Sequence, residues 1–330
     1  MNDLDDCFRS DDERLTVGEA VRRFANGIGP AADTELTPTA EAHGRILSAD
    51  ITAHLDTPPS DNSAVDGYVV YFGDLAEEGE TTLPIAGRIA AGHPLDRPAK
   101  PGEALQIFTG APVPTGKNGS GPDTIFMVED CQVTENSVTL PAGIKRGANL
   151  RRAGEDVKAG TVVLRAGARL RPPDIAMAAS LGLSDIPVYR RLKAAVFSTG
   201  DEVREPGTPL DAGCIYDANR FAIMAMLERL GCEVHDLGIF PDDRATIEGA
   251  LKAAAQDHDL LMTSGGVSKG EEDHVRASVE ALGAVNFWNL AIKPGRPVAL
   301  GYVEASAAKT PFVGLPGNPV AVMVTFLKIA

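Results

Sequence analysis

The sequence has few basic residues for its number of acidic ones. Its 31 Lys and Arg stand against 46 Asp and Glu, which gives a net charge of −15 at pH 7. A protein that binds nucleic acid needs a basic footprint for the phosphate backbone. The composition therefore argues against a nucleic-acid partner, although a small anionic substrate remains compatible with a local basic pocket.

Cysteine and long apolar runs are also scarce. The four cysteines show no CxxC spacing, and no histidine is placed to complete a zinc site with them. No apolar run approaches the roughly 20 residues that cross a bilayer. The first residues are polar and acidic, unlike a signal peptide. We therefore expect a cytoplasmic protein with reduced thiols and no membrane partner.

The length of 330 residues predicts two or three domains. Residues 1–14 are charged and unpatterned, which is typical of a flexible tail. Thr16 and Glu19 have the spacing of a capping box, and apolar residues follow at helical intervals. An amphipathic helix is therefore expected to begin at this point.

Three further regions differ in composition. Residues 53–144 are rich in Gly, Pro and Thr and contain short β-type runs, which predicts a β-rich inserted domain. Residues 15–52 and 145–189 resemble neither neighbour, so we expect them to form a small, elongated connecting domain that includes the N-terminal helix. From residue 190 to residue 330, strands alternate with helices of about ten residues. That pattern predicts an α/β domain with a doubly wound, mostly parallel sheet.

Three predicted strands of this α/β domain end in small or acidic residues. The ends are residues 198–202 (Ser-Thr-Gly-Asp-Glu), 263–266 (Thr-Ser-Gly-Gly) and 315–319 (Leu-Pro-Gly-Asn-Pro). Ligands of open α/β sheets bind beyond the carboxyl ends of the strands. We therefore expect the three ends to converge on one binding rim.

The glycine-rich stretch 264–268 (Ser-Gly-Gly-Val-Ser) has two interpretations. Backbone N–H groups and hydroxyls after a strand can cradle a phosphate. An ordinary turn between strand and helix needs glycines as well, and the stretch does not match the Walker-A pattern. Both interpretations stay open on the sequence alone.

Acidic residues that follow predicted strands form a second candidate site. Clustered carboxylates repel one another unless a cation such as Mg²⁺ neutralises them. Acids at helix N-termini also complement the helix dipole, and this alternative is favoured for Asp242 and Asp243. Asp201 and Glu202 lie in a turn after a buried strand and fit a metal-binding or catalytic role better.

A third candidate is residues 291–297, where Lys293 and Arg296 lie in a loop with two prolines. A rigid cationic loop suits a fixed anion such as phosphate. The alternative is a hairpin turn with solvated charges. We favour the anion site because the prolines limit the entropy of the loop. Asp66, in the turn-rich stretch 58–68, is a fourth candidate as a ligand or base, but composition does not decide its role.

Seven motifs, in this order and spacing, resemble one family. They are residues 63–68 (Ser-Ala-Val-Asp-Gly-Tyr), 109–112 (Thr-Gly-Ala-Pro), 198–202, 215–219 (Ile-Tyr-Asp-Ala-Asn), 264–268, 291–295 (Ala-Ile-Lys-Pro-Gly) and 314–319 (Gly-Leu-Pro-Gly-Asn-Pro). The family is that of the molybdopterin molybdenumtransferases, which includes MoeA and the gephyrin E-domain. The motifs span nearly the whole chain after the N-terminal tail. Asn289 and Arg296 stand where lysine is common in this family.

The resemblance implies an enzyme that inserts molybdate into adenylylated molybdopterin and releases AMP, with Mg²⁺ as cofactor. It implies a cytoplasmic homodimer whose site is shared between subunits. Molybdopterin adenylyltransferase and acceptor molybdoenzymes are the expected protein partners. The family's usual C-terminal β domain is not expected in this chain. The alternatives are a molybdopterin adenylyltransferase and a gephyrin-like scaffold.

The resemblance also assigns roles to residues. The expected catalytic residues are Asp66, Glu202, Asp273 and Lys293, and the expected metal ligands are Asp201, Glu202, Asp243 and Asp273. The expected substrate-binding residues are Thr109, Thr199, Gly200, Asp217, Ser264, Gly265, Gly266, Ser268, Arg296, Pro316, Gly317, Asn318 and Pro319.

Overall fold

The structure is a computed structural model that describes residues 15–27, 32–266, 274–295, 297–305 and 308–329. The predicted flexible tail, residues 1–14, lies outside these ranges. The chain divides into two compact units. Unit 1 consists of Met1–Glu35 and Val188–Ala330, and unit 2 consists of Leu36–Pro187. Unit 2 is therefore inserted into the sequence of unit 1.

The described part of the chain forms six α-helices and twenty strands. The helices are α1 (Val17–Gly27), α2 (Pro172–Ser180), α3 (Asn219–Leu230), α4 (Arg244–Asp257), α5 (His274–Leu282) and α6 (Pro319–Ile329). The strands are β1 (Thr34–Pro38), β2 (Ile51–Thr52), β3 (Asn62–Ser63), β4 (Gly67–Val70), β5 (Thr81–Ile89), β6 (Ala104–Ile107), β7 (Thr124–Met127), β8 (Gln132–Val133), β9 (Ser137–Leu140), β10 (Leu150–Arg151), β11 (Val162–Leu164), β12 (Asp185–Tyr189), β13 (Lys193–Thr199), β14 (Val203–Arg204), β15 (Ile215–Tyr216), β16 (Glu233–Phe240), β17 (Leu260–Ser264), β18 (Gly283–Asn289), β19 (Pro297–Ala305) and β20 (Ala308–Leu315).

Unit 1 contains a six-stranded sheet in the order β16-β13-β17-β20-β19-β18. The first four strands of that order are mutually parallel, and β19 runs antiparallel to both of its neighbours. The mostly parallel sheet predicted for residues 190–330 is therefore present. Its last three strands form an antiparallel meander, because β18, β19 and β20 are separated by too few residues in the sequence for a parallel crossover.

Helices cover both faces of this sheet. Along β13, Ala194 and Val196 point into one apolar cluster, which α1, α3 and α6 share. Ala195 and Phe197 point into the other cluster, which α4 and α5 share. A strand buried on both faces reads as a continuous apolar run rather than an alternating one. The sheet is thus doubly wound, as the alternation of strands and helices predicts.

The N-terminal helix belongs to unit 1. The capping box is present, since Thr16 Oγ1 accepts from the Glu19 amide at 3.3 Å and Glu19 accepts from the Thr16 amide at 2.9 Å. Leu15 and Ala20 are buried in the cluster that also contains Phe326 of α6. The sequence pattern placed this helix in a connecting domain instead. The sequence pattern shows that the helix has an apolar face, but it does not show which hydrophobic core that face packs against.

Unit 2 is β-rich, as predicted for its central residues. Its six-stranded sheet has the order β7-β4-β6-β5-β9-β8 and is antiparallel except for the pair of β5 and β6. The pairs β1–β12, β2–β11 and β3–β10 form further two-stranded ribbons. A hairpin turn at 134–136 joins β8 to β9, where the Thr134 amide donates to Ser137 O at 2.8 Å. The proposed boundaries between an inserted and a connecting domain stay predictions.

Candidate active site

Three strand ends meet at one edge of the unit 1 sheet. β13, β17 and β20 are parallel neighbours, with Ser198 opposite Ser264 and Ser264 opposite Leu315. The glycine-rich and acidic turns that follow these strands therefore begin side by side. This confirms the convergence expected from the sequence.

An open cleft lies beyond these strand ends, and the space at the cleft, open solvent included, is about 490 Å³. We call residues 202–217, which connect β13 to α3, the cleft wall. The wall contributes Glu202, Val203, Ile215, Tyr216 and Asp217 to the lining. The other lining residues are Ser198, Thr199, Ala218, Asn219, Ser264, Gly265, Gly317 and Pro319.

Two glycines let side chains of predicted site residues lie close to the backbone. Gly200 has φ +133°, and a Cβ placed there would lie 2.6 Å from Glu202 Oε2. At Gly266, with φ +60°, a Cβ would lie 2.8 Å from Thr199 Oγ1. Both backbone conformations favour glycine, and both positions lack room for a side chain. The carboxylate of Glu202 and the hydroxyl of Thr199 thus lie at the turns where β13 and β17 end.

Gly265 differs from the phosphate cradle expected of it. Its amide donates to Leu315 O at 3.1 Å and so continues the sheet instead of pointing to a ligand. Its Cα comes close to Gly317, where an added Cβ would lie 3.8 Å away. A Cβ added at Gly265 itself would meet nothing within 4 Å, so its left-handed φ of +81°, rather than a lack of space, favours glycine there. Ser268 lies outside the described residues.

Buried hydroxyls without partners mark this end of the sheet. Ser198 is only 2% exposed and Thr263 is fully buried. Neither hydroxyl has a hydrogen-bond partner within the described ranges. An unsatisfied buried polar group costs about 1–3 kcal/mol. Because Ser198 also lines the cleft, a ligand that hydrogen-bonds its hydroxyl would recover that cost.

Of the acids, Asp201 and Asp242 lie together at the ends of β13 and β16. The Asp201 amide donates to Asp242 Oδ2 at 3.3 Å, and the Asp242 amide donates to Asp201 Oδ1 at 3.5 Å. Asp243 instead caps α4, accepting from the Thr246 hydroxyl at 2.6 Å and amide at 2.8 Å. These two hydrogen bonds lower the pKa of Asp243. The capping role is the alternative considered for this position, and metal binding by Asp243 stays a prediction.

The described residues do not by themselves make a magnesium site. Within them, no group of three or more His, Cys, Asp or Glu side chains is placed to hold a metal ion. Asp273, the remaining expected ligand, lies outside the described ranges. Glu202 and Asp217 make the described cleft lining acidic, and that lining contains no Lys or Arg. Any anion bound there therefore needs positive charge from elsewhere.

Lys293 lies on the side of the sheet where the parallel strands have their carboxyl ends. β18 runs in the direction of β20, because β19 is antiparallel to both, so the loop after β18 emerges on the side of the cleft. Lys293 is exposed in this loop. Gly295 fixes the loop on α6, where the Thr325 hydroxyl donates to Gly295 O at 3.3 Å. The hairpin considered for residues 291–297 is present, and Arg296 lies outside the described residues.

The loop after β20 is tied to the start of α3. Asn219 Nδ2 donates to Gly317 O at 2.7 Å. Asn318 Oδ1 accepts from the Ala321 amide at 3.1 Å and so caps α6. Pro316 is buried, whereas Pro319 is exposed and lines the cleft. Of the predicted residues 316–319, Gly317 and Pro319 line the cleft.

In unit 2 the predicted residues Asp66 and Thr109 are in direct contact. Asp66 Oδ1 accepts from the Thr109 amide at 2.8 Å and from its hydroxyl at 2.7 Å. Both hydrogen bonds lower the pKa of Asp66, and the bond from the Thr109 amide has the larger effect. The carboxylate is therefore ionised and exposed, as a ligand-binding or catalytic group requires. Beside it, Arg88 lies over the ring of Phe108 at 4.5 Å.

Comparison with known proteins decides the family. Residues 15–182 match the family model described as the MoeA N-terminal region, domains I and II, and residues 195–330 match that of a probable molybdopterin-binding domain. The chain is 43% identical to the molybdopterin molybdenumtransferase of Haemophilus influenzae over 316 residues, which are 96% of this chain and 76% of that protein. The chain belongs to the molybdopterin molybdenumtransferase family.

Other members of the molybdopterin molybdenumtransferase family agree in sequence and fold. The Bacillus subtilis molybdopterin molybdenumtransferase is 32% identical over 94% of this chain and 72% of its own length. The molybdopterin biosynthesis MoeA protein of Pyrococcus horikoshii superposes with a TM-score of 0.78 at 29% identity, over 96% of this chain and 77% of that one. The fold of the family therefore extends over almost all of this chain.

The sequence motifs of this family did not reveal Arg220. Its side chain is 1% exposed, and it donates to Glu205, Asp217 and Asp236. Asp217, expected to bind substrate, is 3% exposed and directs one carboxylate oxygen to the Arg220 Nε at 2.9 Å. One signal was available in the sequence: Asp217 precedes Arg220 by three residues at the start of a helix, a spacing that allows an ion pair. The other two acids are distant in sequence.

Proposed function

We propose that this chain inserts molybdate into adenylylated molybdopterin and releases AMP, in the cleft at the carboxyl ends of β13, β17 and β20. As a molybdopterin molybdenumtransferase family member, it is a transferase of molybdenum cofactor biosynthesis. The observation that supports the location is Ser198, a buried hydroxyl without a partner in the described ranges that lines the cleft. We place the reaction in the cytoplasm.

Hydroxyl groups would bind the pyrophosphate of the substrate. Ser198, Thr199 and Ser264 all line the cleft at the strand ends. Gly266 allows the Thr199 side chain to lie against its backbone. Phosphate oxygens accept hydrogen bonds from such donors, and the absence of side chains at the glycines lets the phosphates come close.

Glu202 is the proposed catalytic carboxylate. It lines the cleft and lies over Gly200, next to the hydroxyls that would hold the pyrophosphate. A carboxylate there can accept the proton of the water that attacks the phosphorus. The bond from water oxygen to phosphorus then forms while the bond to the bridging oxygen breaks. AMP leaves, and the other phosphate remains with the pterin.

Positive charge has to offset the acidic lining when this anion binds. Lys293 at the same edge, and Arg296, are the proposed protein cations for molybdate and for the negative charge that develops. Mg²⁺ is the proposed cofactor, with Asp201, Glu202 and Asp273 as ligands, and it would supply further charge neutralisation. Because the described carboxylates do not form a complete site, no step is assigned to the metal.

The proposal includes a homodimer with shared sites. Asp66 of the partner subunit, pinned by Thr109 of the partner subunit, would complete each cleft as an ionised carboxylate. Mixing Asp66→Ala subunits with Glu202→Ala subunits should then restore up to about a quarter of the activity, because each hybrid dimer keeps one intact site. Hybrid dimers that assemble but stay inactive would contradict the shared site.

Following AMP tests the reaction itself. The purified protein is incubated with adenylylated molybdopterin, Mg²⁺ and molybdate, and AMP is measured with and without molybdate. Release that depends on molybdate supports the proposal. Transfer of AMP from ATP to molybdopterin would identify an adenylyltransferase instead. Binding of the substrate without either reaction would identify a scaffold.

A further inference from the structure

Arg220 joins three separate segments of unit 1. It is the second residue of α3 and is 1% exposed. Its guanidinium donates to Glu205 in the cleft wall, to Asp217 at the end of the wall and to Asp236 in β16. One cation therefore binds the wall at two points and attaches it to the edge strand of the sheet.

Other described hydrogen bonds of the cleft wall run within the wall or to the turn before it, among them Tyr216 Oη to Thr208 O at 2.9 Å and Arg204 Nη1 to Asp201 O at 2.7 Å. β14 pairs with β15 through two residues each. The Ile215 amide donates to Glu202 O at 2.8 Å, and the Asp217 amide donates to Arg204 O at 2.9 Å. Between these strands, residues 206–213 are exposed. A short ribbon with an exposed connection opens easily unless side chains hold it. Arg220 is placed to hold this ribbon against β16, through Glu205, Asp217 and Asp236.

The Arg220 site is built for a guanidinium. Burial pulls the pKa of Arg220 down, but the hydrogen bonds to Asp236 and Asp217 outweigh this effect, and the net pKa is raised. The side chain is therefore charged when buried. Its planar fork can serve three carboxylates at once, whereas a lysine ammonium is a single point of charge. Without the guanidinium of Arg220, the carboxylates of Glu205, Asp217 and Asp236 would repel one another.

We propose that Arg220 is a positioning residue of the cleft: it holds the wall against β16 and so keeps Glu202, Tyr216 and Asp217 in place for the substrate. Arg220 itself does not line the cleft. Its effect is thus expected on the order of the wall and on substrate affinity. The effect on affinity rests on the proposed function, but the effect on the wall does not.

Arg190 provides a matched control. It donates to Asp259 through two nitrogens, at 2.6 Å and 2.7 Å, and Asp259 also accepts from the Lys193 amide at 2.8 Å. Lys193 begins β13 and Leu260 begins β17, so this pair lies at the opposite end of the same strands. Arg190→Lys therefore removes a comparable fork-shaped contact from the same fold, away from the cleft.

The test compares Arg220→Lys with Arg190→Lys by hydrogen–deuterium exchange, thermal unfolding and steady-state kinetics. Both variants should lower the melting temperature. Only Arg220→Lys should speed exchange in residues 202–217, by about tenfold, because the wall opens more often. It should also raise KM for adenylylated molybdopterin about tenfold with kcat changed less than about threefold. Wild-type exchange in the wall of Arg220→Lys, or equal acceleration in Arg190→Lys, would overturn the proposal.

Glu205→Gln tests the same link with a milder substitution, in case Arg220→Lys fails to fold. The Glu205 side chain is 44% exposed, so its substitution spares the buried part of the network. We expect a smaller acceleration of exchange, about threefold, confined to residues 202–217. Unchanged exchange there would count against the link. Exchange is measured without turnover, so absence of AMP release from the wild type would reject the proposed reaction and leave this result standing.

Discussion

The two ends of the parallel strands in unit 1 differ in how well their polar groups are satisfied. At the amino end, Asp259 receives two hydrogen bonds from Arg190 and one from the Lys193 amide. At the carboxyl end, Ser198 and Thr263 keep buried hydroxyls without partners in the described part of the chain. There, a single guanidinium serves three carboxylates, and two turns need left-handed glycines.

The difference separates stability from function within one sheet. At the amino end, the Asp259 carboxylate is already bound by Arg190 and by the Lys193 amide. Unsatisfied hydroxyls, strained turns and excess negative charge persist only where the rest of the fold stabilises them, and such features concentrate at functional sites. Substitutions at the amino end should therefore change stability alone, and those that alter the cleft at the carboxyl end should change activity.

The largest effect is expected for Glu202→Gln. Removing the proposed proton acceptor should lower kcat for AMP release by about 100-fold or more. The melting temperature should stay near that of the wild type, because Glu202 is exposed. Glu248→Gln is the control, since Glu248 pairs with Arg244 on the surface of α4. Near-normal turnover in Glu202→Gln would remove this residue from the mechanism.

Asp259→Asn tests the amino end. Burial raises the pKa of Asp259, but hydrogen bonds from Arg190 and the Lys193 amide outweigh it and leave the pKa below its ordinary value. A carboxylate with a lowered pKa stabilises the fold above its unfolded pKa, and that contribution is lost as pH falls through the folded pKa. The variant should lose about 2 kcal/mol of unfolding free energy at pH 7.

Denaturant unfolding of both proteins at pH 7 and at about pH 3 checks this, with kcat/KM measured beside it. The stability difference between wild type and Asp259→Asn should shrink at the lower pH, and kcat/KM at pH 7 should be unchanged. A loss of activity comparable to the Glu202 variant would break the division between the two ends.

Gly266→Ala and Gly231→Ala compare the two ends with the same substitution. Both glycines have left-handed φ, +60° and +92°, so each alanine should cost about 1 kcal/mol from the backbone alone, and Gly266→Ala should cost more because its Cβ would also lie 2.8 Å from Val275 Cγ2. Only at Gly266 would the new Cβ meet Thr199 Oγ1, at 2.8 Å. We therefore expect reduced affinity for adenylylated molybdopterin in Gly266→Ala alone. Calorimetric titration together with thermal unfolding measures both quantities.

The smallest effect is expected for the unpaired hydroxyls. Ser198→Ala and Thr263→Val each remove a buried polar atom without a partner within the described ranges, so each should stabilise the protein by up to about 1 kcal/mol. Ser198→Ala should also weaken substrate binding several-fold, because Ser198 lines the cleft and Thr263 does not. Equal affinities in both variants would exclude Ser198 as a substrate ligand.

The sequence predicted the meeting of the carboxyl ends of β13, β17 and β20 better than it predicted the places of β18 and β19 in the sheet. Strands that alternate with helices must run parallel, and so the turns after Thr199, Ser264 and Leu315 meet. The order of β18 and β19 in the sheet depends on packing that no local pattern encodes. The long strand β5 of unit 2 has no clear β-type pattern in the sequence, because Pro84 and Gly87 interrupt it.

The network around Arg220 shows the same limit at the level of side chains. Asp217 precedes Arg220 by three residues, and that spacing is visible in the sequence. Glu205 and Asp236 join the cluster only because the wall folds back over β16. Asp66 and Thr109 were identified by family motifs alone, since composition left their roles undecided.

Unit 1 is formed by two segments of the chain that unit 2 separates. This arrangement sets the order in which its parts can fold during synthesis on the ribosome. Leu15 and Ala20 are among the first described residues to be made, yet their apolar cluster includes Val322 and Phe326 of α6. All of unit 2 is translated before β13 begins. Domains that emerge first can fold first. The nascent chain must therefore carry α1 with its apolar face uncovered through most of translation, and it closes unit 1 only when α6 arrives.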